Sequence, residues 1–351
     1  MKMQFSPLPS LPNGFKNGVG FSQNNVIYAG LGSLGEQWLM LDITSERGWQ
    51  VKTPFPGTCR NDAVCIPVTG GCYVFSGAGV VDGNHYPTVL VDGYFYDCDH
   101  DAWHLVTDQI PVGLLGAAGC AIGEHLFVIG GYNKHQFDGL MEQLNSPLMN
   151  SDPDKKQACL VEFMSKPIED YQWNDKVYRF ECSSQQWDEI GENPFQANCG
   201  AGVFRSEDSL VLVEGEVKPG LRSLHSKQYQ FEDGELIATS YLPSIIECDS
   251  SHEGLAGAYC GEVDGIWVVA GGAFFIGSQS NYRTEKYYSH QGLSKTFSDA
   301  VWCFDGCEWQ FAGHMPQGCA YGVSVSSPLG MILLGGESQQ GDALTQCYLL
   351  T

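Results

Sequence analysis

Six times along the chain an apolar run rises out of a glycine or polar turn and stops at a pair of small residues. The runs are NNVIYAGLG, GGCYVFSGAG, GEHLFVIGG, EDSLVLVEGE, DGIWVVAGG and PLGMILLGG. A second run carrying Tyr or Phe follows each one: WLMLDIT, YFYDCDH, VYRFECSS, QYQFEDG, VWCFDG and QCYLLT. A third starts at a tryptophan or its substitute and ends in proline: WQVKTPFP, WHLVTDQIP, WDEIGENP, LIATSYLP and WQFAGHMP. Apolar residues alternating between turn residues predict short antiparallel strands.

The third element is missing after the sixth unit, which ends at Thr351, and QFSPLPSLP near the N-terminus supplies it. A first strand that completes the last repeat predicts a closed ring. Long repeats with a glycine pair, an aromatic and a Trp carry the kelch signature. The expected fold is therefore all-β, a single six-bladed kelch β-propeller over 1–351. The repeat aromatics Tyr28, Tyr73, Phe127 and Trp267 are assigned to the core, and Trp49, Trp103, Trp187 and Trp309 to packing between blades. Two repeats are stretched. An insert at 133–175 in blade three has apolar spacing (Leu140, Leu144; Leu160, Phe163, Met164) that predicts short helices. A second insert, 274–298, interrupts blade five. Inserts of this length are usually functional loops, so both are expected to stand over a site.

Composition narrows the partners. The net charge of −23 leaves few bases to neutralise phosphates, which argues against nucleic acid and anionic membranes. No apolar run approaches the roughly 20 residues of a membrane span. The fourteen cysteines are scattered without a CxxC pair, so zinc spacing is absent. Such scatter fits reduced, mostly buried thiols in the cytoplasm, although an even count leaves disulfides open in an exported chain. The N-terminus has no sustained apolar segment and no small-residue cleavage site.

One repeat departs from the others. Its small pair sits in VEGEVKPGLRS (213–223), where acids and bases fill the slot. Here, and in FPGTCRND (55–62), FDGLMEQLN (137–145), GSQSNY with YSHQGL (277–293) and GCAYGVS (318–324), the chain resembles the N-acetylneuraminate epimerases, the sialic acid mutarotases. The resemblance runs over nearly the whole length. It implies conversion of the α anomer of N-acetylneuraminate to the β anomer without cofactor or metal, by a homodimer. It places the proton acceptor on Glu216 and the carboxylate-binding arginine on Arg222, with Arg60 also matching. Glu142, in FDGLMEQLN, joins the substrate-binding candidates. Where the family motif reads Gly-Arg-Ala-Tyr-Gly, this chain has Cys319, which puts one anion-facing base in doubt. Well-known relatives are periplasmic, so the periplasm is the alternative to a cytoplasmic location.

Anomer exchange of a 2-keto sugar acid requires one group to take the anomeric proton and another to protonate the ring oxygen. A glutamate of ordinary pKa, about 4.3, is ionised at pH 7 and can accept a proton. Candidates for the acid are a protonated His290, Tyr282, Tyr287, Tyr288, Tyr321 or bound water. Glu337, in the equivalent slot of blade six, is a second carboxylate. An arginine can hold the substrate carboxylate through two parallel hydrogen bonds. Arg222 and Arg60 are best suited, with Arg283 and Lys218 behind them. Each has a plainer alternative: Glu216 as a solvated loop acid, the arginines as inter-blade ion pairs, His290 as inert, and Glu337 as a backbone acceptor. Competing functions are a kelch protein-binding module, a mutarotase for another sugar acid and, more weakly, a kelch-type copper oxidase. Copper would want imidazole ligands, and no cluster of them is visible.

Overall fold

The apolar runs form the middle of six four-stranded antiparallel sheets arranged as the blades of a propeller. The computed structural model describes residues 3–246 and 251–351. The second strand of each blade is mostly buried, and Ser209–Val213 and Gly330–Leu334 are buried along their whole length, because both faces pack on neighbouring blades. The ring closes as expected. Phe5–Leu8 pairs antiparallel with Cys347–Leu350 and forms the outer strand of blade six.

Each blade also has an innermost strand that the repeat pattern does not reveal: Val19–Gln23, Val64–Val68, Ala118–Ile122, Gly202–Arg205, Tyr259–Val263 and Val323–Ser327. These strands crowd the axis and are written in small residues. At Gly119, a Cβ would stand 2.6 Å from Ile66 Cδ1 of the next blade. Gly, Ser and Cys blur the alternation that marks an ordinary strand.

The tryptophans bind successive blades together. Trp38, Trp103 and Phe55 share a core that joins blades one and two. The indole N–H of Trp49 donates to Pro9 O (2.9 Å), that of Trp103 to Thr53 O (3.2 Å) and that of Trp309 to Pro243 O (3.1 Å). Each acceptor lies at the proline-ended strand of the preceding blade. Proline stops that strand and leaves a carbonyl unpaired, so the Trp and the proline recur together.

The blade-three insert forms helices α1 (Lys134–Leu144), α2 (Pro147–Ser151) and α3 (Pro153–Met164). Leu140, Cys159, Phe163, Tyr171 and Trp173 bury their contact with the propeller. The blade-five insert contains the short helix α4 (Ser278–Arg283) and a ribbon of Ala273–Phe275 with Lys295–Phe297. The acceptors Glu253 Oε1 and Oε2 take the N–H groups of Gly277 and Gln279, which caps α4.

Candidate functional site

The charged slot of blade four folds as a two-stranded ribbon in which Glu216 pairs with Arg222 and Lys218 with Leu221. Pro219 and Gly220 make the turn, with Gly220 at φ 80°, the residue order of a type II turn. A Cβ at Gly220 would stand 1.7 Å from His290 Nδ1, so glycine also lets the blade-five insert close on the ribbon. Ribbon register puts the acid and the base side by side: Arg222 Nη2 is 3.1 Å from Glu216 Oε1. The guanidinium is 1% exposed and the carboxylate 26%, so the acid reaches water and the base stands behind it.

Arg222 is held on three sides. Its Nε donates to Ala273 O (3.1 Å), its Nη2 to the Tyr321 hydroxyl (3.4 Å), and its plane covers Phe275 at 4.9 Å. Its Nη1 is buried and unpartnered. Glu337 lies in the same mouth, accepting from Lys16 Nζ at 2.7 Å and Lys295 Nζ at 2.9 Å. These two ammonium groups hold its carboxyl below the usual range against its burial. Lys295 also faces the Tyr321 ring at 5.0 Å, which links the Glu337 group to Arg222. Burial pushes the Tyr321 phenol well up. The mouth thus gathers Glu216, Arg222, Tyr321, Glu337, Lys16 and Lys295. Within an acidic protein this is a local meeting of bases and acids, and salt confines its attraction for anions to about 8 Å.

Several expected residues stand elsewhere. Arg60 is buried and makes a two-point ion pair with Asp92 (2.6 and 3.0 Å), while Nε and Nη1 donate to Thr58 O and Ser76 O. It is an internal clamp with no fork left for a substrate carboxylate. Arg60→Met is therefore expected to lower stability by about 3 kcal/mol, as when one partner of a buried pair is lost, and to leave substrate KM unchanged. Urea unfolding and anomer-exchange kinetics check the two halves.

Cys319 occupies the position in blade six that Arg60 occupies in blade two. It too is buried, its Sγ 3.5 Å from the Tyr259 hydroxyl. At this position the chain places a buried thiol between blades and no base. Glu142 is exposed on α1, and Arg283 is exposed on α4, where its Nε bonds back to Gln279 O. Neither reaches the mouth. The Tyr282 hydroxyl accepts from Ile168 N at 3.2 Å and ties the two inserts together.

Lys218 does the same from below. Its buried Nζ donates to Met164 O (3.1 Å), Lys166 O (2.5 Å) and Tyr287 O, so it pins both inserts to the ribbon and does not bind anions. Burial lowers its pKa to about 8. His290 is packed against Phe275 and Tyr288. Burial, Arg222 and Lys218 pull it down to about 4, so the ring is neutral at pH 7, which removes protonated His290 from the candidates for the acid.

Other features escaped the sequence reading. Glu214, the first residue of the small pair, adopts φ 52° where blades three, five and six use Gly130, Gly271 and Gly335 and blades one and two use Leu31 and Ser76. Its buried carboxylate accepts from Leu255 N and lies 2.5 Å from His252 Nε2. Asp62, Lys16 and Lys295 were also missed. A signal for Asp62 was present: it is a charge where three other repeats have glycine, at 116, 200 and 257. Cavities of about 540 and 570 Å³ lie beside α1, lined by Asn133, His135 and Gln172, away from the mouth chemistry.

Comparison with known proteins places the whole chain in a family. The family model described as N-acetylneuraminate epimerase matches residues 8–351. A kelch domain-containing protein of Vibrio cholerae serotype O1 is 42% identical, covering 100% of this chain and 99% of its own length. The N-acetylneuraminate epimerase of Brucella melitensis is 35% identical, over 97% of this chain and 89% of the relative. N-acetylneuraminate epimerase 1 of Escherichia coli O6:H1 is also 35% identical, over 98% and 90%. The solved structure of YjhT superposes with a TM-score of 0.90 at 31% identity, covering 98% of this chain and 99% of that one. The chain belongs to the N-acetylneuraminate epimerase family.

Proposed function

We propose that this protein is an isomerase that exchanges the α and β anomers of N-acetylneuraminate at the mouth built from Glu216 and Arg222. The observation that carries the reading is their pairing: a partly exposed carboxylate 3.1 Å from a buried guanidinium that keeps an unpartnered Nη1. Glu216 takes the proton of the anomeric hydroxyl. Arg222 faces the carboxylate that the same carbon bears, and Lys295 and Lys16 add positive charge across the mouth. The C2–ring-oxygen bond then breaks, the open-chain ketone turns, and the ring closes on the opposite face. Fixed charges aimed at the reacting centre need no rearrangement as charge develops.

The test releases the α anomer with a sialidase and follows anomer proportions by proton NMR. Acceleration over spontaneous exchange is expected, and its absence would sink the reading. Cys319, buried against Tyr259, gives no reason to prefer another sugar acid. A homodimer is part of the proposal and is checked by sedimentation equilibrium. A cytoplasmic location is also proposed, supported by the thirteen described cysteines, all with free thiols.

A further inference from the structure

Anomer exchange needs a proton donor for the ring oxygen, opposite the base. The ring of backbone around the axis shows where one stands. Just before each innermost strand, one residue donates its N–H to the carbonyl of its counterpart in the neighbouring blade. Asn17 donates to Tyr321, Asp62 to Asn17, Gly116 to Asp62, Gly200 to Gly116, Gly257 to Gly200 and Tyr321 to Gly257, all at 2.8–3.0 Å. The circle is closed, and all six residues have positive φ. Such a conformation favours glycine. Three positions are glycine; Asn17, Asp62 and Tyr321 are not, and they adopt φ 54°, 53° and 61°. Backbone strain is tolerated where a side chain has a task.

Asp62 enters from blade two, Glu216 from blade four and Tyr321 from blade six, so alternate blades present one group each. The Tyr321 hydroxyl already meets Arg222. The Asp62 side chain is open to water in the channel, and among the described residues its carboxyl has neither hydrogen bond nor ion pair. Burial raises the Cys199 thiol pKa, and the charges of Glu216 and Asp62 raise it further, so both acids stand near it. The Cys199 backbone pairs with Glu216 in both directions, at 2.9 and 2.8 Å.

We propose that Asp62 is the general acid of the exchange, acting across the channel from Glu216. This rests on the mutarotase reading of the mouth. In the opening step Glu216 takes the proton from the anomeric hydroxyl. The C2–ring-oxygen electron pair moves to the ring oxygen, which takes the Asp62 proton. The products are a C2 ketone, a chain hydroxyl, a neutral Glu216 and an Asp62 carboxylate. After the ketone turns, the hydroxyl oxygen adds to its other face and returns its proton to Asp62. Glu216 then gives its proton to the former carbonyl oxygen. Both groups end as they began, so no co-reactant is needed.

Electrostatics agree with this division of labour. Asp62 is surrounded by protein despite its open face, and this desolvation, with the Glu216 charge second, pushes it up to about 7. The titratable groups facing it are Glu216 and Cys199. A donor with pKa near the working pH is well matched to proton transfer, whereas the Tyr321 phenol holds its proton far more tightly. The sign follows: the proton is present below about 7 and lost above, so activity should fall on the alkaline side.

The test is Asp62→Asn, because asparagine tolerates positive φ and keeps the shape. Circular dichroism checks folding. Exchange is followed by NMR from pH 5 to 9, and the Asp62 carboxyl is titrated by carbon NMR in the unsubstituted protein and in Glu216→Gln. The expected result is a loss in kcat of roughly 100-fold, disappearance of the alkaline limb, and an Asp62 titration near neutrality that moves down in Glu216→Gln. Activity within threefold of the unsubstituted protein with the limb intact would overturn the assignment while leaving the mutarotase reading standing. Loss of the limb in Tyr321→Phe, with Asp62→Asn unaffected, would transfer the role to Tyr321 and overturn it too. If the unsubstituted protein does not accelerate exchange, the mutarotase reading fails and takes the acid role with it, whatever the titration shows.

Discussion

Glu216→Gln is expected to reduce kcat for anomer exchange by roughly 10²–10⁴-fold, the usual contribution of a positioned general base, with little change in KM. The amide keeps the size of the carboxylate and one oxygen toward Arg222, but it cannot accept the anomeric proton. The backbone bridge between Glu216 and Cys199 is independent of the side chain, so the ribbon should hold its place. This separates chemistry from architecture. If the pair with Arg222 were only structural, the loss would appear in thermal unfolding and not in kcat. Full activity in Glu216→Gln, measured by NMR under saturating substrate, would remove this residue from the mechanism.

The architecture was legible because the strongest signal in the chain is periodic. Largely apolar second strands, a Trp in each of several repeats and a proline at the strand before it are consequences of blades packing face to face. The repeat reading could not see the innermost strands, whose small residues are chosen by crowding at the axis. Nor could it separate arginines by task. Arg60 and Arg222 both lie in charged loops of the family-like segments. Whether each is spent depends on partners far away in sequence: Asp92 takes most of the Arg60 fork, while Glu216 and Tyr321 leave part of Arg222 unpaired. His290 was left open between acid and inert residue for a similar reason. Its loop is polar in sequence, but folding puts the ring against Phe275 and near two cations, and that keeps it neutral.

Charged and aromatic departures from the repeat mark the mouth and the axial ring. Glu216 drew notice in the charged slot of blade four, and the family resemblance gave it its role. Asp62 and Tyr321 stand in the axial ring where three blades have glycine, and Glu214 is the charged member of a slot that holds Gly in three blades and Leu31 and Ser76 in two. A repeated scaffold sets a null for every slot. A charged or aromatic residue in a left-handed conformation that glycine fills elsewhere is the exception to read first.

Arg222→Lys carries the second large expectation: kcat/KM should fall about 100-fold, with most of the loss in KM. The charge is kept, but a lysine presents a point donor where the guanidinium reaches Ala273 O, Tyr321 and Glu216 at once. One lost charge-assisted hydrogen bond costs about 1.5–3 kcal/mol, which corresponds to roughly 10–150-fold in affinity. A fraction of the loss should fall on kcat, because Glu216 loses the neighbour that orients it. The control is the methyl ester of the substrate, whose carboxylate charge is gone. The unsubstituted protein should discriminate strongly against the ester, and Arg222→Lys should narrow that preference. A preference equally large in both proteins would mean that the carboxylate is held elsewhere. Lys295 and Lys16 would then be the groups to test, since they already stand beside Glu337 in the same mouth.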